Sequence, residues 1–233
     1  MKDNTRLTPK NDILNALPAD DLARLTPLLE HVDLPHGKVL YQPDVPIKHV
    51  YFPEHAMISV VAYTDDGQAT EVAVIGGEGA TGVSVVMGSN STHYENIVQL
   101  PNGGWRIKTK DVREEFARNG ALHDLLLRFT NKLLVQVSQT ALCNRVHTVE
   151  KRLSKWLLMS SDRTESNEMH LTQELLAMML GANRTTVTRT AIVLQDAGFI
   201  SYKRGKIVIL DRPGLEDYTC ECYEVIKAAY AQK

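Results

Sequence analysis

The 233-residue chain lacks several things. No apolar run approaches the roughly 20 residues of a membrane-spanning helix, so no membrane partner is expected. Three cysteines, Cys143, Cys220 and Cys222, are too few for a disulfide framework. Three cysteines also cannot supply the four ligands of a four-thiolate iron–sulfur cluster, which argues against one. The opening residues Met1 to Arg6 carry no apolar stretch, which predicts a cytoplasmic protein. Aromatic residues make up only 6% of the chain. From His49 to Trp105 there is no lysine or arginine, against six acids. G-x-S-x-G, H-E-x-x-H and P-loop patterns are missing, which argues against an enzyme.

What is present is ordinary in bulk and uneven in distribution. Hydrophobic residues are 43% and charged residues 23%, as in a globular protein. The net charge is -2, yet residues 183–212 carry six bases and two acids. An acidic middle and a basic patch late in the chain point to two tasks in two places.

The texture changes along the chain. Residues 11–32 read as short helices. From Asp33 to about Ile107, short β-branched runs alternate with turn residues: Lys38–Tyr41, Val50–Phe52, Met57–Tyr63, Glu71–Ile75, Val83–Met87 and Ile97–Leu100. Many short strands predict a sandwich or barrel. Asp111–Asn119 reads as a helix ending at Gly120, and Ala121 to about Arg145 as a long one. Leu122, Leu126, Phe129, Leu133, Gln136 and Thr140 recur at alternating fours and threes. Such a helix spans roughly 37 Å, more than a small barrel covers, so this stripe is expected to be a dimer seam; an intramolecular core face is the alternative. Val149–Met159 continues as helix, and Ser160–Asn167 reads as a linker.

The most informative stretch is Leu171–Leu210. Thr172 is a good N-cap for a helix over Gln173–Leu180, which Gly181 ends. Asn183 caps a second helix, Arg184–Ala197, whose Val187, Ala191 and Leu194 form an inward stripe. Two short strands then flank Lys203-Arg204-Gly205, a basic hairpin. Helix, turn, helix and wing suit DNA: the second helix enters the major groove, Arg reads guanine and hydroxyls hold phosphate. The expected DNA contacts are Thr172, Gln173, Asn183, Arg184, Thr185, Thr186, Thr188, Arg189, Lys203, Arg204 and Lys206.

Here the chain resembles the Crp/Fnr family of bacterial transcription regulators. The residues that carry the resemblance are Val149-Glu150-Lys151-Arg152-Leu153-Ser154-Lys155-Trp156-Leu157-Leu158, Leu171-Thr172-Gln173-Glu174-Leu175-Leu176-Ala177 and Gly181-Ala182-Asn183-Arg184-Thr185-Thr186-Val187-Thr188-Arg189. The resemblance implies an α+β protein: an N-terminal antiparallel, jelly-roll-like β-roll of the cyclic-nucleotide-binding type over 1–120, a dimerisation helix over 121–146 and a winged helix-turn-helix over 147–233. It implies a homodimer on double-stranded, palindromic DNA, with RNA polymerase and a small-molecule effector as further partners. The base-reading arginines fall on Arg184 and Arg189. Thr185 stands where many members carry Glu, which implies a target site that departs from the common consensus.

Gly77-Glu78-Gly79-Ala80-Thr81-Gly82 resembles the family's phosphate-binding cassette, with Glu78 in the place of the ribose-binding carboxylate. Gly77, Glu78, Gly79, Thr81, Gly82 and Tyr94 are the expected effector pocket. The stretch Ser91–Val98 lacks the arginine that neutralises a cyclic phosphate, and a buried phosphate without a cation is costly, which argues against cyclic AMP. No cofactor and no metal site is expected. His123 and His147 read as structural or exposed, and the cysteines as structural thiols with a thiol switch as the alternative. A module of the same fold that no longer reads DNA is the competing reading.

Overall fold

The computed structural model describes residues 9–232. Met1 to Arg6, on which the expectation about the N-terminus rests, lie outside them. In chain order the elements are α1 (Asp12–Asn15), α2 (Ala19–Leu25), β1 (Glu30–Leu34), β2 (Val39–Tyr41), β3 (His49–Pro53), β4 (Met57–Tyr63), β5 (Ala69–Ile75), β6 (Glu95–Leu100), β7 (Asn102–Lys108), α3 (Thr109–Phe116), α4 (Ala121–Val146), α5 (Val149–Thr164), β8 (Glu168–His170), α6 (Gln173–Leu180), α7 (Arg184–Asp196), β9 (Ile200–Lys203), β10 (Lys206–Ile209), α8 (Arg212–Tyr218) and α9 (Cys222–Ala231). It is the α+β architecture expected.

The roll is two antiparallel sheets, β1-β7-β3 and β2-β6-β4-β5. Asn11 ties the N-terminal helices to it. Its Oδ1 accepts from the backbone N–H groups of Ile13 and Leu14, capping α1, while its Nδ2 donates to the carbonyls of Pro53 and Gly79, each at 2.8 Å. The strand expectation needs two corrections. Val83–Met87 is not a strand: Val83–Val85 is a turn of 3-10 helix after Gly82, whose φ is +73°. And Asn102–Gly104 is not a turn but the start of β7. A Cβ on Gly104 would stand 2.8 Å from the Phe52 carbonyl oxygen, so the glycine marks close strand contact rather than a break. The helix expected over Asp111–Asn119 ends earlier, at Phe116 with Ala117 as its C-cap, and Asn119, at φ 55°, rather than Gly120, takes the left-handed position before α4.

β4 is buried on both faces through its first five residues, which a half-exposed strand would not be. Ile58 and Val60 belong to the roll core, whereas Met57, with Val74 and Leu100, packs in one cluster with Leu153, Trp156, Met159 and Met179. The C-terminal half, from α5 onward, thus roofs the outer face of the four-stranded sheet.

α4 corrects the expected seam. Leu122, Leu126, Phe129 and Gln136 are buried inside the protomer, the first three in the roll core, with Leu133 packed against it and Thr140 half-buried. Gln136 completes the free edge of β5: its Oε1 accepts from Val74 N–H and its Nε2 donates to the Val74 carbonyl, both at 3.0 Å. The unpartnered apolar residues lie elsewhere on the helix: Leu127, Leu134, Val137, Leu142 and Val146. A four–three pattern records that a face is buried, not by whom; the helix carries two apolar faces, and the more regular one turns inward.

After α4, α5 runs to Thr164, past its expected end at Met159, and stops at Glu165 in the left-handed region. The expected linker is therefore helix plus a short turn into β8, which joins the wing as sheet β8-β10-β9. No helix among the described residues is long and apolar enough to cross a membrane.

Candidate nucleic-acid interface

Local chemistry builds the helix-turn-helix. The Thr172 hydroxyl accepts from Leu175 N–H at 3.2 Å and caps α6. Gly181 ends it at φ +52°, a conformation that favours glycine. The Asn183 side chain accepts from Thr186 N–H at 2.8 Å and caps α7. Val187, Thr190, Ala191 and Leu194 are buried, so the register of α7 is set from below. Arg184, Thr185 and Arg189 are exposed, Thr186 and Thr188 half-buried. The Thr188 hydroxyl donates back to the Arg184 carbonyl at 2.9 Å.

The wing follows. β9 and β10 pair from Lys203↔Lys206, leaving the two-residue loop Arg204-Gly205. Both residues have positive φ, 51° and 77°, the hairpin geometry that matches strand twist. An open groove of about 580 Å³ lies between α7 and the wing, bordered by Gln173, Glu174, Arg184, Thr188, Tyr202 and Arg204.

The bases are not equally free. Arg184 is paired with Glu174 at 2.8 Å, with both side chains 61% exposed. Such a pair is weak and leaves the guanidinium available to a base edge. Lys206 is paired with Glu168 at 2.6 Å, and its charge holds that carboxyl below its usual range. Arg212, part of the basic stretch, is structural: it contacts Asp162, Glu216, Ser161 and the Tyr223 hydroxyl.

The six expected effector residues do not converge on a cavity. Glu78 is paired with Arg163 of α5, Nε to Oε1 at 2.7 Å, with Arg163 only 7% exposed. Gly77 lies against the Glu54 carbonyl, and Gly79 lies under the Phe129 ring, where a Cβ would stand 2.1 Å from ring carbon. Thr81 is buried against the Tyr41 hydroxyl at 2.8 Å, which also covers Gly82. Tyr94 is 44% exposed. Protein atoms crowd Gly77, Gly79 and Gly82, and the carboxylate expected at a ribose is paired with Arg163 of α5.

Two further features escaped the sequence pattern. Two pairs of side chains far apart in sequence, Cys143 with His147 and Cys220 with Cys222, place their ligating atoms within 4.8 Å of one another, a grouping not expected from the sequence. The i, i+4 spacing of Cys143 and His147 was the available signal. Second, Glu71 of β5 is buried at the joint. It accepts from Trp156 Nε1 at 2.7 Å and from the Ser59 hydroxyl at 2.5 Å. Burial pushes its carboxyl up to about 7, although both hydrogen bonds act in the opposite direction. Because the folded state holds this proton more tightly than the unfolded chain, stability falls as pH rises from about 4.5 to about 7 and is flat above. The difference is of order 3 kcal/mol. Glu71→Gln keeps an acceptor for Trp156 and removes the titration. Its thermal midpoint should therefore gain on the parent by roughly 5–10 °C between pH 5 and pH 8; an offset that does not change with pH would refute the assignment.

Comparison with known proteins bears on the same elements. Residues 151–218 match the family model of the Crp-like helix-turn-helix domain. No curated protein matches the sequence. Among solved structures, the chain is similar to a Crp/Fnr-family protein from Eubacterium rectale (TM-score 0.70, 18% identity, 89% of this chain and 97% of that one). It is similar to FixK2 from Bradyrhizobium japonicum (TM-score 0.67, 17% identity, 82% and 98%). It is also similar to CLP of Xanthomonas campestris, described as a c-di-GMP-responsive global regulator (TM-score 0.67, 16% identity, 83% and 100%). With α6, α7 and the wing inside the matched segment, the chain carries a Crp-like helix-turn-helix domain on the fold of the Crp/Fnr family of transcription regulators.

Proposed function

We propose that the protein is a cytoplasmic, homodimeric, sequence-specific transcription regulator that reads a palindromic site and does not respond to cyclic AMP. The observation that carries this reading is the Asn183-capped helix α7, with Arg184, Thr185 and Arg189 exposed beside a basic wing tip. Residues 1–120 act as sensor, 121–146 as dimerisation helix and 147–233 as reader. Each protomer sets the N-terminal end of α7 in a major groove, with half-sites one turn, about 34 Å, apart. Arg184 and Arg189 read bases; Thr172, Gln173, Asn183, Thr186 and Thr188 hold backbone; Lys203, Arg204 and Lys206 follow the phosphates. The second copy packs along Leu127, Leu134, Val137 and Leu142 of α4, the apolar stripe its own chain leaves uncovered. Cyclic AMP is disfavoured because Glu78 is engaged by Arg163 and residues 49–105 supply no cation. Any signal shifts the balance between two arrangements of reader and sensor.

The test is selection from random duplex DNA with the full chain at near-physiological salt, with and without cyclic AMP. A palindrome is expected, unchanged by the nucleotide. Arg184→Ala and Arg189→Ala should each cost about 1–3 kcal/mol and relax specificity at one position of each half-site. Unchanged profiles in both variants would remove the base-reading assignment.

A further inference from the structure

The cluster at the end of α4 is built like a coordination site. Cys143 sits on the last turn of α4 and His147, four residues on, is that helix's C-cap, while Cys220 lies in the turn between α8 and α9 and Cys222 opens α9. All three cysteines are buried, and none forms a disulfide. Cys143 Sγ lies 3.6 Å from Cys220 Sγ, and Cys222 Sγ lies 3.6 Å from His147 Nδ1. Both distances match edges of a tetrahedron around one small cation, and all four ligating atoms lie within 4.8 Å of one another. Metal–sulfur bonds of about 2.3 Å place two sulfurs about 3.8 Å apart, and a metal–nitrogen bond of about 2.0 Å places nitrogen about 3.6 Å from sulfur. An iron–sulfur cube, with its irons on separate corners, would hold its thiolates much farther apart.

The surroundings agree. The other ring nitrogen of His147, Nε2, lies 3.3 Å from a Glu221 carboxylate oxygen. A carboxylate on the far nitrogen of a ligating histidine fixes its tautomer and raises its basicity. Three thiolates, one neutral imidazole and a divalent cation leave one net negative charge. The buried Lys155 and the half-buried Arg152 of α5 both act electrostatically on Cys143. Neither forms an ion pair with a carboxylate among the described residues, and Arg152 Nε is buried without a hydrogen-bond partner. Arg152, together with Lys155, which also acts on the Glu71 carboxyl, fits that remaining charge.

We propose that Cys143, His147, Cys220 and Cys222 bind one zinc ion per chain, clamping the end of α4 to the α8–α9 turn. The three thiols release their protons to solvent on binding, and the metal undergoes no redox change. Four protein ligands close the coordination sphere, so the site is structural rather than catalytic. It joins the end of the long helix to the start of α9.

The full-length protein, purified without chelator under reducing, oxygen-free conditions, is expected to retain one zinc per chain by elemental analysis. After removal of zinc, titration with Co²⁺ alone should saturate at one per chain. Intense tetrahedral bands in the visible and thiolate charge-transfer bands in the near ultraviolet should appear, and zinc should bleach them. Cys220→Ser should weaken the charge-transfer bands, and His147→Ala should shift the visible bands. Absence of retained zinc together with absence of a one-to-one tetrahedral cobalt spectrum in the parent protein would overturn the proposal, whatever the variants do. So would an iron–sulfur spectrum, or a Cys143–Cys220 disulfide in the protein handled without oxygen.

Discussion

Leu127→Glu with Leu134→Glu is expected to give a folded monomer whose affinity for a palindromic operator is lower by about 10²–10⁴-fold, the loss that follows when two linked half-site contacts become separate events. Leu127 and Leu134 are 46% and 58% exposed, one heptad apart on the face of α4 that its own chain does not cover. Glu is a good helix former, and exposed substitutions shift stability by about half a kcal/mol, so fold and assembly separate cleanly. Leu126→Ala supplies the contrast. Leu126 is 1% exposed in the roll core, and its truncation should cost about 2–5 kcal/mol of stability while leaving the outer stripe intact. Sedimentation equilibrium and operator titration read both. A Leu127→Glu, Leu134→Glu protein that remains dimeric would place the interface elsewhere.

Glu78→Ala is expected to destabilise the protein by about 3 kcal/mol, at the lower end of what leaving one member of a buried ion pair uncompensated costs. The Arg163 guanidinium retains the Met159 carbonyl at 3.0 Å and the Tyr230 ring at 5.3 Å, which softens the loss. Adding Arg163→Met should recover most of the stability, since it removes the stranded charge and keeps the stem's packing. Urea unfolding of the two variants and the parent measures this. A ribose-binding carboxylate, by contrast, would cost ligand affinity and spare the ligand-free protein. Glu78→Ala unfolding within half a kcal/mol of the parent would return Glu78 to that role.

The helix-turn-helix was legible in the sequence because its determinants are local. Thr172, Gly181 and Asn183 each act within three residues of where they stand, and the structure uses each as its type predicts. The N-terminal roll was less so because its determinants act across the fold. Glu78 acquires its role from Arg163, 85 residues away, and Phe129 fills the space over Gly79. Gly103 and Gly104 look like a turn until Phe52 and Pro53 are set against them. The inner stripe of α4 is visible as a stripe, but period alone does not say which surface meets it. Cys143 and Cys220 lie 77 residues apart and touch only because α9 folds back along α4; there Lys132 donates to the carbonyls of Tyr230 and Gln232.

The roofed sheet has an evolutionary consequence. Met57, Val74 and Leu100 of the roll share one apolar cluster with Trp156 and Met179 of the reader, and Glu71 and Glu78 both reach across the same boundary. Cutting there would not release two finished modules but two halves of a core, each with an uncovered apolar face. A substitution on either side of this boundary is felt by the other, so the two halves of this chain are constrained together rather than as separate modules.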